Sequence, residues 1–81
     1  KDLLIICDTV NGDSLQEIKL KLNKIDSDFW GGESKVKLKI LKDGTEALIS
    51  LNENFMIDLN SENLDNLRSI FGDNKIKLSQ L

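Results

Sequence analysis

The feature that most constrains the fold is an alternating segment that turns back on itself at Asp43-Gly44. From residue 35 to residue 40, lysines alternate with apolar residues, which is the period of a strand with one buried face. Asp43-Gly44 predicts a two-residue type I′ turn, with positive φ at both central residues. With Lys42 opposite Thr45, the apolar residues of both strands share one face. These pairs are Val36–Leu51, Leu38–Ile49 and Ile40–Ala47.

A third strand is predicted directly after this hairpin. The segment Asn52-Glu53-Asn54 is suited to a three-residue loop with Asn54 in the left-handed region. Such a loop keeps the next apolar residues on the same buried face, so a meander of three strands is expected. The additional pairs are Leu51–Phe55, Ile49–Ile57 and Ala47–Leu59.

Two segments have the spacing of amphipathic helices. The first begins at the capping box Ser14-Leu15-Gln16-Glu17, and the second begins at Asn60 or Ser61 and ends at Gly72. Leu20 lies off the apolar stripe of the first helix, so we expect it to be partly exposed. The residues predicted to be buried are Leu15, Ile18, Leu22 and Ile25 in the first helix, and Leu64, Leu67, Ile70 and Phe71 in the second.

Two further strands complete the predicted sheet. The apolar run from residue 3 to residue 8 predicts a central strand, and the alternation of Ile76 and Leu78 predicts a closing strand. The order is then β-α-β-β-β-α-β, an α+β two-layer sandwich. Two helices would cover one face of a five-stranded sheet, mostly antiparallel or mixed. We expect residues 1–81 to be a single domain and, because they begin with Lys1 rather than Met, a fragment of a longer polypeptide or a processed product.

The face of the predicted sheet opposite the helices carries basic and apolar residues together. A patch of this kind is rarely left in water, so we expect it to dock on another domain or on a partner. A solvated lysine row is favoured over nucleic-acid contact, because no aromatic residues are interleaved with it. The residues concerned are Lys35, Lys37, Lys39, Leu41, Leu48 and Met56, with part of the first strand.

Composition removes most catalytic chemistry. The chain has no histidine, no tyrosine and one cysteine, Cys7, which lies in an apolar run and is expected to be a buried structural thiol. Asp26-Ser27-Asp28 is the best carboxylate pair for Mg²⁺, but a solvated loop at a helix end is favoured. We therefore predict no catalytic residues, no cofactor and no metal site. A lone cysteine and an apolar run too short for a bilayer favour a cytoplasmic protein without membrane contact.

The charge distribution argues against strong direct binding of nucleic acid. The formal net charge is −3, and residues 41–81 carry four basic residues against seven acidic ones. Affinity for phosphate backbones depends on clustered Lys and Arg side chains.

From Gly32 onwards, a glycine, a V-x-L strand, a short strand with an aspartate and a serine, a leucine-paired helix and a closing G-x-x-x-I-x-L segment follow one another. The residues that carry these features are Gly32, Val36 and Leu38, then Ile57, Asp58 and Ser61, then Leu64 and Leu67, and finally Gly72, Ile76 and Leu78. In this spacing the chain resembles the C-terminal domain of the bacterial DNA polymerase III alpha subunit.

The resemblance implies a non-catalytic role in DNA replication. The parent chain is a DNA-directed DNA polymerase, a nucleotidyltransferase whose catalytic aspartates lie in a distant palm domain. This C-terminal region would tether the polymerase to the tau subunit of the clamp loader, beside neighbouring domains of the same subunit, and its last residues would contact tau or the sliding clamp. The residues predicted to bind a partner are Leu48, Met56, Lys77, Leu78, Ser79, Gln80 and Leu81.

Two other classes of function remain as alternatives. A small ligand-binding regulatory domain of the ACT type also places helices on one face of a small sheet, but it uses two β-α-β units, whereas three consecutive strands are predicted here. A weak nucleic-acid-binding module is the other alternative.

Overall fold

The computed structural model describes residues 1–79, which form two helices and four strands. The elements are β1 (Leu3–Asp8), α1 (Leu15–Lys24), β2 (Val36–Lys42), β3 (Thr45–Ser50), α2 (Ser61–Phe71) and β4 (Ile76–Leu78). Short 3₁₀ turns lie between them at Thr9–Asn11, Ser27–Phe29, Glu53–Phe55 and Asp73–Lys75. The α+β class and the two helices are confirmed.

The strands form one mixed sheet in the order β3-β2-β1-β4. The connection through α1 makes β1 and β2 parallel neighbours, with Leu3 beside Val36 and Cys7 beside Ile40. On its other side β1 pairs antiparallel with β4, where Ile5 faces Ile76. The central position predicted for the first strand is therefore confirmed.

The hairpin of β2 and β3 has the predicted register but a different turn. Lys42 faces Thr45 and Leu38 faces Ile49, as the hydrophobic pattern requires. Gly44 has a φ of 78°, whereas Asp43, like the other non-glycine residues described, has a negative φ. The predicted type I′ turn is wrong, since these are the φ signs of a type II turn. Only the residue without a Cβ atom takes the left-handed conformation.

The predicted third strand of the meander is also wrong, so the sheet has four strands and not five. Residues Glu53–Phe55 form a 3₁₀ turn, because the Asn52 side chain accepts a hydrogen bond of 2.8 Å from the amide of Asn54. The chain then passes the end of β2 instead of returning along β3. Ile57 makes one isolated antiparallel bridge, to Ser34, and does not pair with Ile49.

A close contact at Gly32 holds residues 56–58 beside the segment that precedes β2. A Cβ atom on Gly32 would lie 2.1 Å from the amide nitrogen of Asp58 and 2.2 Å from the carbonyl carbon of Ile57. The amides of Gly31 and Gly32 donate to the carbonyl oxygen of Met56 at 2.9 and 3.2 Å. Two backbone segments therefore pack directly against each other, which only glycine permits.

The core lies between one face of the sheet and both helices. Cys7 is buried and Leu20 is 55% exposed, as predicted, and Phe29 and Trp30 pack against the core. Ile70 was predicted to be buried but is 37% exposed. The fully or largely buried residues are Leu3, Ile5, Cys7, Ile18, Leu22, Val36, Leu38, Ile40, Ile57, Leu67 and Ile76.

The position of Ile70 follows from the way α2 lies on the sheet. Leu64, Leu67 and Phe71 form the stripe of α2 that packs on the core, and Ile70 lies at the edge of this stripe, on the side of Leu67 away from the other two. Ile70 lines an open groove there with Ile25 and Phe29.

The helix ends follow the sequence signals. The Ser14 hydroxyl accepts from the amide of Glu17 at 3.5 Å, and the Asn60 side chain accepts from the amide of Asn63 at 2.9 Å. Asn60 is thus the N-cap of α2. Gly72 ends that helix with a φ of 109°, as predicted.

Candidate docking surface on the open face of the sheet

The sheet face that points away from the helices, here called the open face, combines apolar residues with lysines. Strand register places Leu4 between Lys37 and Lys77, and Lys39 between Ile6 and Leu48. Leu48 is 58% exposed. The predicted mixture of basic and apolar side chains is therefore present on β1, β2 and β3.

The lysines in the middle of the open face have acidic partners within the chain. Lys37 and Asp2 form an ion pair of 2.9 Å, and Lys39 lies 3.7 Å from Glu46. The hydrogen bond from Lys37 lowers the pKa of the Asp2 carboxyl group. Because these ammonium groups are already paired, the open face offers phosphate less free positive charge than the sequence indicates.

A shallow depression of about 200 Å³ lies on this surface. Residues from different parts of the chain meet here, since Leu48 comes from the hairpin and Ser79 follows the last strand. The lining residues are Leu4, Lys39, Glu46, Ala47, Leu48 and Ser79. Two of the residues predicted to bind a partner thus share one depression.

The other predicted partner-binding residues lie in different places. Lys77 is exposed on the open face, but Leu78 lies beside Leu3 on the helix side and packs against the core. Met56 is half-buried on the loop beyond the Val36 end of β2, away from Leu48. The two remaining predicted residues, Gln80 and Leu81, lie outside the described residues.

The whole of β3 is exposed, which the sequence did not indicate. Ala47 and Ile49 occupy the helix side of the sheet, yet both are exposed, and Ile49 retains 42% of its accessible surface. Alternation alone predicts both as buried, because it cannot show how far the helices extend across a sheet. Because Ile49 pairs with Leu38, which is buried, the sequence pattern predicts that Ile49 is buried as well.

Among residues 1–79, the outer edge of β3 also presents backbone groups that no neighbouring strand pairs with. The amide of Leu51 donates to the carbonyl oxygen of Val36 at 3.0 Å. Backbone amide and carbonyl groups alternate in direction along a strand, so those of Thr45, Ala47 and Ile49 also point towards β2. The amide and carbonyl groups of the remaining β3 residues therefore point away from the sheet. These residues are Glu46, Leu48 and Ser50.

The residues considered for catalysis have structural roles. The Asp26 carboxylate accepts a hydrogen bond of 3.1 Å from the amide of Asp28, which caps the turn after α1. Burial raises the pKa of the Cys7 thiol, which disfavours the reactive thiolate. Within residues 1–79, acidic, cysteine and histidine side chains form no group of three or more that could hold a metal ion.

Neither of the two helices described is long and apolar enough to cross a membrane. Comparisons of the chain with known protein families, with curated proteins and with solved structures found no match. The function must therefore be argued from the surface itself.

Proposed function

We propose that this domain is a non-catalytic docking module that tethers a replicative polymerase, the DNA polymerase III alpha subunit, to the tau subunit of the clamp loader. The observation that carries the proposal is the depression on the open face, where Leu48 and Ser79 meet beside Leu4 and Lys39. The identity of the partner rests on the sequence resemblance, and the location of the docking surface rests on the structure.

The open face has the composition of a protein interface. Its apolar side chains alternate with lysines that are paired within the chain, as in the Lys37–Asp2 and Lys39–Glu46 contacts. A partner can cover such a surface without stripping water from unpaired charges, which would oppose binding. The exposed Lys35 and Lys77 lie at the periphery, where they would attract an acidic segment of the partner.

The test is a titration of the 81-residue chain with the C-terminal domain of tau, followed by NMR of the backbone amides. We expect the largest shifts at Leu4, Lys39 and Leu48. Leu48→Asp should weaken binding about tenfold or more, because it places a charge in the lining of the depression. Leu20→Asp is the matched control, since Leu20 has similar exposure on α1.

Two outcomes contradict the proposal. One is the absence of binding at tau concentrations of about 100 µM with the fold retained. The other is an equal loss of binding in both variants. Salt-sensitive binding to single-stranded DNA without tau binding would favour the nucleic-acid alternative.

The four-stranded sheet also bears on the alternative of a small ligand-binding domain. The corrected order β-α-β-β-α-β is that of ferredoxin-like domains, so the argument from three consecutive strands no longer holds. In those domains, however, another strand separates the parallel pair of each β-α-β unit. Here β1 and β2 are direct neighbours. The connectivity therefore disfavours a ligand-binding domain of the ACT type.

A further inference from the structure

The two edges of the sheet differ in their protection against pairing with another chain. Natural edge strands are kept single by being short, by lysine or proline residues, or by bulges. β4 has three residues, whereas β3 has six and contains neither lysine nor proline. All six residues of β3 are exposed. The β3 edge is therefore available for strand addition.

We propose that β3 pairs antiparallel with β3 of a second copy of this chain, about a two-fold axis at Leu48. This inference goes beyond the docking function, because it concerns the edge of the sheet and a different partner. Two four-stranded sheets would join into one continuous sheet of eight strands.

Backbone direction supports this register. The outward-pointing groups belong to Glu46, Leu48 and Ser50, which are evenly spaced around Leu48. Antiparallel pairing about Leu48 places Leu48 opposite its counterpart and Glu46 opposite Ser50 of the second copy. Each such pair exchanges two backbone hydrogen bonds, so the three pairs along the strand would form about six.

The side chains are self-complementary in the same register. On the open face, Leu48 would meet Leu48 of the second copy. On the helix side, Ala47 would meet Ile49 of the second copy and cover part of the Ile49 surface, of which 42% is exposed in the monomer. Apolar cross-strand pairs of this kind stabilise a sheet, and in this register no like charges face each other across the new pair.

The charges along the new row are also complementary. Lys37 lies opposite Ser50 within the chain, so Glu46 of the second copy would come next in the row Lys37, Ser50, Glu46. Lys37 and this Glu46 would be two strand spacings apart, about 10 Å. The side chains can span this distance because only the small Ser50 lies between them. Glu46 would then stand between its own Lys39 and Lys37 of the second copy.

The association should be weak. One pair of strands buries less surface than a standard interface, so we expect a dissociation constant only slightly smaller than about 1 mM. The experiment is sedimentation equilibrium of the 81-residue chain over a series of concentrations up to that value. A chain that stays monomeric throughout overturns the proposal.

The first pair of variants tests whether β3 is the interface. Leu48→Lys places two like charges opposite each other at the axis, so the dissociation constant should rise about tenfold or more. Leu20→Lys makes the same change at a similarly exposed position on α1 and should leave association unchanged. A dimer that responds equally to both changes contradicts the proposal.

The second pair of variants tests the register. Ser50→Lys would face Glu46 of the second copy and should tighten the dimer roughly threefold to tenfold, whereas Ser50→Glu should weaken it by a similar factor. Within the monomer the order is reversed, because residue 50 lies opposite Lys37. Urea unfolding of dilute samples should therefore show Ser50→Glu as the more stable variant. The opposite order of dissociation constants, or no difference, overturns the register.

The tau titration remains independent of this result. Performed at chain concentrations far below the dimer dissociation constant, it measures the monomer, so either proposal can fail while the other holds.

Discussion

The two edges of the sheet differ in how firmly they are tied to the rest of the domain. At the β4 edge, Ile76 is 3% exposed, and the ends of the strand are tied to the rest of the chain. Lys75 pairs with Asp13 at 2.5 Å before the strand, and the Ser79 amide donates to the Asp2 carbonyl at 2.8 Å after it. At the β3 edge, all six residues are exposed. The β4 side holds the fold together, and the β3 side is available to a partner.

The largest expected effect comes from comparing the truncation of a buried leucine with that of an exposed one. Leu67 on α2 has no exposed surface, so Leu67→Ala should lower the free energy of unfolding by about 2–5 kcal/mol. Leu48→Ala makes the same chemical change on exposed β3 and should cost within about 0.5 kcal/mol. Urea titration of dilute samples measures both values. Equal losses would show that β3 belongs to the core.

The second effect concerns the contact that directs the chain away from β3. Gly32→Ala forces a Cβ atom into the backbone of Ile57 and Asp58, so we expect a loss of about 2–3 kcal/mol or a displaced 56–58 segment. Gly31→Ala meets no atom within 4 Å and should cost about 1 kcal/mol, because its φ is 106°. Thermal unfolding followed by circular dichroism compares them. A smaller loss for Gly32→Ala than for Gly31→Ala would contradict the structure.

The third effect concerns the Lys75–Asp13 pair, which ties the start of β4 to the rest of the chain. Asp13 accepts hydrogen bonds from Lys75 and from the amide of Asp8, so Asp13→Asn should lower the free energy of unfolding by about 1–2 kcal/mol near neutral pH. Asp73→Asn changes an exposed carboxylate in the adjacent turn and is the control. Chemical unfolding at neutral pH should separate the two variants, and equal losses would show that the Lys75–Asp13 pair does not hold β4.

The same pair should be visible in the pH dependence of stability. The hydrogen bond from Lys75 lowers the pKa of Asp13 below its usual 3.8. Its contribution is therefore complete above the unfolded-state pKa and is lost as the pH falls through the lower folded-state pKa. The pKa of Lys75 is raised above 10.5 by the same bond, so its contribution is lost only as the pH rises beyond that value. Asp13→Asn should flatten the acid part of the stability profile, and an unchanged profile would contradict this account.

The fold could be predicted from the sequence wherever a local signal and burial agreed. The Lys42–Thr45 register, the Ser14 cap and the Gly72 helix end are of this kind. The predicted third strand failed because its alternation was compatible with a hairpin, while the Asn52 side chain and the close approach of Gly32 decided the path. The second of these is a contact between distant segments that no local pattern contains.

The candidate site was predicted only in part. Leu48 and Ser79 could be named from the sequence, but their meeting depends on strand order, which places β4 next to β1. Met56 was grouped with Leu48 only because of the incorrect third strand. The exposure of Ala47 and Ile49 depends on the extent of helix cover, which hydrophobic alternation does not report.

The measurement that tests the central claim most directly is amide hydrogen exchange along β3 at high dilution. With a free outer edge, the amides of Ala47 and Ile49 should be protected by β2, while those of Glu46, Leu48 and Ser50 should exchange rapidly. Protection of these last three amides as strong as that of the β1 amides would contradict the account, because another segment of the chain would then cover the edge.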